Sequence, residues 1–155
     1  MPIAESIRPN NHSCYLDMNS KQIGRDLTAL GITPNKSLTL NVNFDMIPYE
    51  LIHHFIRGYF DGDGSISHTV QDGVIRWQVS FIGTEIFLNY LMDFFDRHHQ
   101  LSTCGRNFRF NFSRFVDVKH ILNIMYENAT IYLDRKFLKS QEFLALNDYQ
   151  AAPRK

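Results

Sequence analysis

The stretch Gly58-Tyr-Phe-Asp-Gly-Asp-Gly-Ser-Ile66 constrains this chain more than any other part of its 155 residues. Before it runs "IPYELIHHFIR", residues 47–57, which reads as a helix. Pro48 suits a first helical turn and Glu50 suits its positive end. Leu51, Ile52, Phe55, Ile56, Tyr59 and Phe60 make the helix apolar over much of its circumference. After it the period changes to two. The glycines must therefore end a helix and start a sheet within a few residues. Yet the helix ends on Asp61 and Asp63, where its dipole is negative and each acid is disfavoured by about 0.3–1 kcal/mol. Something in the fold has to offset those charges.

The rest of the chain fits around this junction. "SISHTV", a turn at "QDG", and "VIRWQVSF" form a hairpin. Thr84 caps a helix running to about Arg97, with Phe87, Leu88, Leu91, Phe94 and Phe95 inward. A second hairpin, "LSTC" and "RNFRFNFS", turns at Gly105. A helix near 116–127, the loop "ATIYLDRKF" and a final helix at about 136–147 complete the pattern. From Pro48 the order is αββαββα, which predicts an α+β fold with one four-stranded antiparallel sheet. Upstream, residues 1–19 are polar and weakly patterned. "SKQIGRDLTALG" is a short helix with Ser20 as N-cap and Gly31 as its stop, and "LTLNVNF" is an alternating connector. We divide the chain into an N-terminal extension (1–44), a main domain (45–149) and a tail (150–155).

Thirteen Phe and seven Tyr in a chain 44% hydrophobic supply a real core. No signal-peptide pattern or membrane-length apolar run is present. Cys14 and Cys104 are isolated, so both read as thiols in a reducing compartment. These features point to an intracellular location: cytoplasm, nucleoid or an organelle matrix. The histidines His53, His54, His98 and His99 lack metal-ligand spacing. Net charge is zero, but it is segregated. Residues 97–139 carry eight Lys or Arg and three acids, whereas residues 40–96 carry two Arg and eight acids. Such segregation gives a neutral protein one basic face.

The strands sharpen this. Period-2 patterning puts Ile75, Trp77, Val79 and Phe81 on one face and Arg76, Gln78 and Ser80 on the other. In the second hairpin, Phe108, Phe110 and Phe112 face the core, and Asn107, Arg109, Asn111 and Ser113 face away. The first strand turns out either Ser65, Ser67, Thr69 and Gln71 or the opposite register with His68. The outward set holds no Asp or Glu. Its Arg, Asn, Gln, Ser and Thr are the side chains that pair with base edges, and a strand ribbon fits a major groove.

The acidic turn mimics a calcium loop, but that reading fails. If Asp61 and Asp63 were the third and fifth positions, Tyr59 would be the first and Val70 the twelfth. Calcium would lose a ligand and its bidentate Glu. Gly58 and Gly62 lie four apart on one helical face and admit another helix at close range. Two such helices would bring two aspartate turns together, and divalent cations would have to sit between them. A pair of metals suits in-line phosphodiester hydrolysis, and Mg²⁺ is held by few carboxylates plus waters and phosphate.

"IRGYFDGDG", residues 56–64, resembles the motif of the LAGLIDADG homing endonucleases. "LGITPNKSLTL", "FIRGYFDGDGSI", "SFIGTEIFL" and "ATIYLDRKF" resemble further phrases of that family, in its order, over residues 20–139. The resemblance implies a site-specific, Mg²⁺- or Mn²⁺-dependent endonuclease of double-stranded DNA with the sheet along the major groove, and leaves open whether its gene sits in an intron, in an intein or free. It implies that Asp63 binds metal, helped by the Gly62 carbonyl, while Asp61 shapes the turn. Lys136 would support the scissile phosphate or its water, with Arg135 as its rival, and Gln78 would join the site. Arg76, Gln78, Ser80, Asn107, Arg109, Asn111, Ser113, Ser67 and Thr69 would contact DNA. Gly58, Gly62, Ile56 and Tyr59 would form the interface to a second motif helix, in a homodimer or a complementary chain. "IGRDLTALGITPNKS" looks like a shorter "ILNIMYENATIYLDRKF", with Lys36 in the place of Lys136. On this reading residues 1–40 are the tail of a first repeat. The alternative is a non-cleaving DNA-binding or maturase-like intron-RNA-binding module on the same scaffold.

Overall fold

The computed structural model describes the backbone of residues 4–8, 11–15, 19–29, 31–32 and 38–146, with side chains from 19 onward. Lys36 and the tail 150–155 lie outside these described residues, as does the Cys14 side chain. Helix α2, Tyr49–Asp63, buries Ile52, Ile56 and Phe60 on one stripe at four-residue spacing. It ends at Gly64, where a Cβ would stand 2.2 Å from the Phe60 ring. Only glycine lets Phe60 fold back under the turn.

Strands β3 (Ser65–Gln71) and β4 (Val74–Gly83) follow. They turn on Asp72 and Gly73, both at positive φ (53° and 73°), the conformation favoured in two-residue hairpins. The β1 (Ala4–Arg8) and β2 (Asn11–Tyr15) pair upstream forms a separate two-stranded antiparallel sheet. Strands β5 (Ser102–Cys104) and β6 (Asn107–Phe112) complete the main sheet, in the antiparallel order β3-β4-β6-β5. Its inner face carries Ile66, Trp77, Val79, Phe81, Phe110 and Phe112, all buried. The Phe81 and Phe110 rings stack at 5.2 Å across the β4–β6 ladder. Toward the tip of the β3–β4 hairpin cover gives out, and Val70 and Ile75 are 68% and 46% exposed.

Helices α3 (Glu85–Phe95), α4 (Phe115–Tyr126) and α5 (Asp134–Leu144) pack with α2 over the inner face. Thr84 caps α3 as expected: its Oγ1 accepts from Phe87 N at 3.3 Å. The hydroxyl also donates to Leu40 O at 2.6 Å, tying down the connector, in which Leu40, Val42 and Phe44 are buried. Asp96 in the left-handed region stops α3 two residues before the expected Arg97. Helix α5 begins at Asp134, two residues earlier than expected, which places Lys136 in its first turn. Upstream, α1 (Lys21–Ala29) buries no residue, and Ile23 and Leu27 are 40% exposed. The β1–β2 hairpin was not foreseen, because its strands lack apolar alternation. Among the described residues no helix is long and apolar enough to cross a membrane.

Two charged residues of α2 bind it to the α4–α5 connector. Arg57 is buried and donates from Nε to Ile131 O (2.9 Å) and from Nη1 to Met125 O (3.0 Å), capping the last turn of α4. Asp61 accepts from Tyr126 Oη at 2.6 Å and from Leu133 N at 3.0 Å, at the positive end of α5. Burial, with the Asp61 hydrogen bond second, drives the Tyr126 pKa up. Burial and then Asp63 push Tyr59 to about 12. Both phenols thus release their protons later in the folded state than in the unfolded chain. Their contribution is complete below pH ~10 and is lost as pH rises past the unfolded phenol value. We expect urea-unfolding stability to fall from pH ~10 upward, and Tyr59→Phe with Tyr126→Phe to flatten that fall. At neutral pH Tyr126→Phe should cost about 1.5–3 kcal/mol, as for a hydrogen bond to a charged acceptor. An unchanged urea midpoint would remove this bond from the account.

Candidate metal-binding turn and nucleic-acid face

The acids at the end of α2 are offset from within the chain. Lys136 reaches back from α5 with its side chain 2% exposed. Its Nζ donates to the carbonyls of Phe60, Asp61 (3.0 Å) and Gly64 (2.5 Å), and lies 5.0 Å from the Phe60 ring centroid. One ammonium therefore serves three carbonyls at the negative helix terminus. Burial lowers its pKa and Arg135 lowers it further, while Asp61 and Asp63 pull it back up. The expectation that Lys136 meets a phosphate is altered by this geometry, since its three N–H donors already have acceptors.

The Gly62 carbonyl is not among those Lys136 takes, and Asp63 is exposed. These two oxygens suit a hard divalent cation. No three His, Cys, Asp or Glu side chains converge on a metal site among the described residues. The Asp61 carboxylate is engaged by Tyr126 Oη and Leu133 N, so Asp63 is the exposed carboxylate of the turn. Next to Asp63 runs the bare side of α2. A Cβ at Gly58 or Gly62 would meet nothing within 4 Å, and a groove of about 450 Å³ lies along them, walled by Ile32, Leu40, His54 and Phe55.

One of the expected interface residues does not belong to that side. Ile56 is fully buried in the chain's own core, because it sits one turn from both Ile52 and Phe60 on the inward stripe. Tyr59 is half-buried and does line the groove; its ring is tilted against Phe87 at 4.4 Å and its hydroxyl donates to Ile82 O at 2.6 Å. Gly58 and Gly62 remain on the open face, and Leu51 and His54 join them.

The outer face of the sheet has the predicted residues in register. Paired residues share a face, so Ser65, Ser80 and Asn111 form one row. Ser67 and Gln78 form the next, and Thr69 and Arg76 the third. Toward the other end, Ile82, Arg109 and Ser102 form a row, followed by Asn107 with Cys104. The first-strand alternative is thereby settled: His68 pairs with Trp77 on the inner side. Ser80 lies mid-sheet at 7% exposure, whereas Arg76, Ser67 and Thr69 are exposed and Ser113 lies just past β6. Asn107 Oδ1, Arg109 Nε and Asn111 Oδ1 are buried without a hydrogen-bond partner. Arg109 Nη2 rests on the weak acceptor Cys104 Sγ at 3.1 Å. These three residues alternate along one outward row of β6, and all three are partly exposed. Arg57 and Tyr126 had escaped the reading of the sequence. The Arg57–Asp61 spacing of one helical turn was the available signal.

No protein-family model matches the chain, and no characterised protein matches it by sequence. Solved structures do. The LAGLIDADG meganuclease I-AabMI, bound to uncleaved DNA, aligns over 59% of this chain and 34% of its own, with TM-score 0.50 and 14% identity. The homing endonuclease I-CvuI, in complex with its target, aligns over 61% and 64%, with TM-score 0.50 and 13% identity. A point mutant of I-SmaMI aligns over 81% and 43%, with TM-score 0.50 and 14% identity. The chain therefore spans about a third to two thirds of the length of these structures. The likeness is one of structure, at 13–14% identity: this chain has the fold of the LAGLIDADG homing endonucleases.

Proposed function

We propose that the chain is a site-specific, divalent-metal-dependent endonuclease module for double-stranded DNA that works beside a second motif helix. The observation that carries this reading is the continuity of turn and sheet. Only Gly64 separates Asp63 from β3, and the acid-free outward rows begin at Ser65. A duplex on the sheet would bring a backbone phosphate past the aspartate. Arg76, Gln78, Thr69, Ser67, Asn107, Arg109, Asn111 and Ser113 would face the groove. Arg109 is suited to a guanine, and the flanking asparagines to adenines.

Asp63 and the Gly62 carbonyl would hold Mg²⁺ or Mn²⁺, whose chemistry is to activate water and stabilise charge on the phosphate oxygens. The chain's own residues do the rest. Lys136 and Asp61 fix the turn that presents Asp63, the outward rows orient the duplex, and Gln78 lies in the second row from the turn. The second carboxylate would come from a copy of this chain or from a complementary chain, seated along Gly58 and Gly62. Residues 1–44 fit the remnant of a first repeat, because β1-β2-α1 has the same order as β5-β6-α4.

Selection from a randomised duplex library with Mg²⁺ or Mn²⁺ should return nicked or cleaved targets for the wild type, and Asp63→Asn should return none. Equal cutting by both would remove Asp63 from the mechanism. Retained binding with no cutting by the wild type would favour a non-cleaving module instead. On a selected site, Arg109→Ala should relax one guanine position by about 1–3 kcal/mol. Light scattering on DNA tests the partner: a strict monomer excludes the homodimer.

A further inference from the structure

The helical layer carries a groove that the proposed function leaves unused. Two cavities of about 420 and 440 Å³ meet at Asn123, Glu127 and Asn128, where α4 ends. One runs toward Phe137 and Leu144 of α5, the other toward Tyr49 of α2 and Phe94 of α3. No strand residue lines either cavity, and neither shares a residue with the groove along Gly58 and Gly62. Apolar surface is open here: Tyr49 is 77% exposed, with its ring tilted against Phe94 at 6.2 Å, and Ile124 and Leu144 are half-buried. The charge has one sign. Glu50 and Glu127 are exposed, and no Lys or Arg lines the groove. Neither carboxylate has an ion-pair partner among the described residues. Burial, then His54 and Arg57, lower the pKa of His53, so its ring adds no positive charge at neutral pH. The last turns of α3, α4 and α5 border the groove through Phe94, Ile124 and Leu144, and none of them carries a basic residue. Each such helix end adds about half a negative charge. Buried Arg57 answers one of these carbonyls, Met125 O, and Glu50 answers the positive first turn of α2. Glu127, the C-cap of α4, stands on a negative end.

We infer that this groove docks a basic segment of a partner protein, one in which cationic and apolar side chains alternate. Its apolar residues would fill the two cavities, against Leu144 on one side and Phe94 on the other. Its Lys or Arg would meet Glu127 and Glu50, and an Arg over the open Tyr49 ring would add a cation–π contact. A nucleic acid does not fit, because its phosphates would meet carboxylates and helix C-termini. The inference stands apart from the nuclease reading: it concerns the opposite layer of the fold and holds whether or not the chain cuts.

The probe is a fluorescein-labelled peptide of alternating arginine and leucine, titrated with the full chain and followed by anisotropy. A glutamate–leucine peptide is the control. The wild type should bind the first and not the second, and should lose affinity as salt rises. Glu50→Gln combined with Glu127→Gln should melt like the wild type and weaken binding about 3- to 10-fold. Tyr49→Ala should weaken it about 2- to 5-fold, and Asp72→Asn, at the far hairpin tip, should leave it unchanged. Backbone amide resonances of Ile124, Glu127 and Asn128 should shift as peptide is added. Absence of binding by the wild type, equal binding of the two peptides, or undiminished binding by the double variant would each overturn the inference. So would a loss in Asp72→Asn, or amide shifts confined to the sheet. Should the double variant melt early, Tyr49→Ala and the amide shifts still decide. Light scattering of the chain alone covers the other occupant: self-association abolished by the double variant would assign the groove to a second copy and overturn the partner segment.

Discussion

The ammonium of Lys136 on the end of α2 is the contact on which the motif depends. A helix that ends in two aspartates exposes carbonyls and carboxylates together, and both are negative. The lysine adds a positive charge at the point where they converge, shielded from water and salt by its own burial. Its head lies over the Phe60 ring, so the ring that fills the core also roofs the charge. Gly64 allows this, since any side chain there would occupy the space of that ring.

Around this contact the chain is organised in two directions. Toward the helices, Arg57 and Asp61 hold α2 against the α4–α5 connector through main-chain groups and one phenol. Toward the sheet, the turn feeds directly into β3, whose register then dictates which side chains of β4 face outward, and those in turn set β6. A shift of one residue at the glycines would exchange the aromatic and polar faces of the entire sheet. The polar atoms left unpaired on β6 follow from the same alternation. The phenylalanines had to go inward, so the asparagines and Arg109 had to go out.

Most of this architecture was legible in the sequence because it rests on period and punctuation. Phe108, Phe110 and Phe112 alternate too regularly to be anything but a strand, and Thr84 announces the start of α3. The motif turn was legible as a conflict of charges, and Asp61 as its structural member. The partner of that conflict was not legible. Lys136 lies 72 residues from Gly64, and nothing local distinguishes a lysine that bends inward from one that faces solvent. The boundary of α5 decided the matter, and helix ends are the least certain part of any periodic pattern. Ile56 was misplaced for a related reason. A helix apolar over much of its circumference does not declare which stripe faces its own core, and the Ile52–Ile56–Phe60 stripe does so only once the sheet is in place.

The β3–β4 hairpin runs beyond the helices, so its tip is a cantilever. Near Ser65 and Ser80 it is clamped by the core. At Asp72 and Gly73 the turn is exposed, and Val74 and Ile75 border a cavity whose far wall is Phe115 and Phe143 of the helices. Two-stranded ribbons twist more readily than wide sheets, so this end can follow a curved surface while the clamped end stays aligned with the acidic turn. Cover is graded along the polar face: Ser80, in the row nearest Asp63, is buried, whereas Thr69 and Arg76, toward Asp72, are exposed. Substitutions at the tip therefore change the shape of that face at little cost to the stability of the fold.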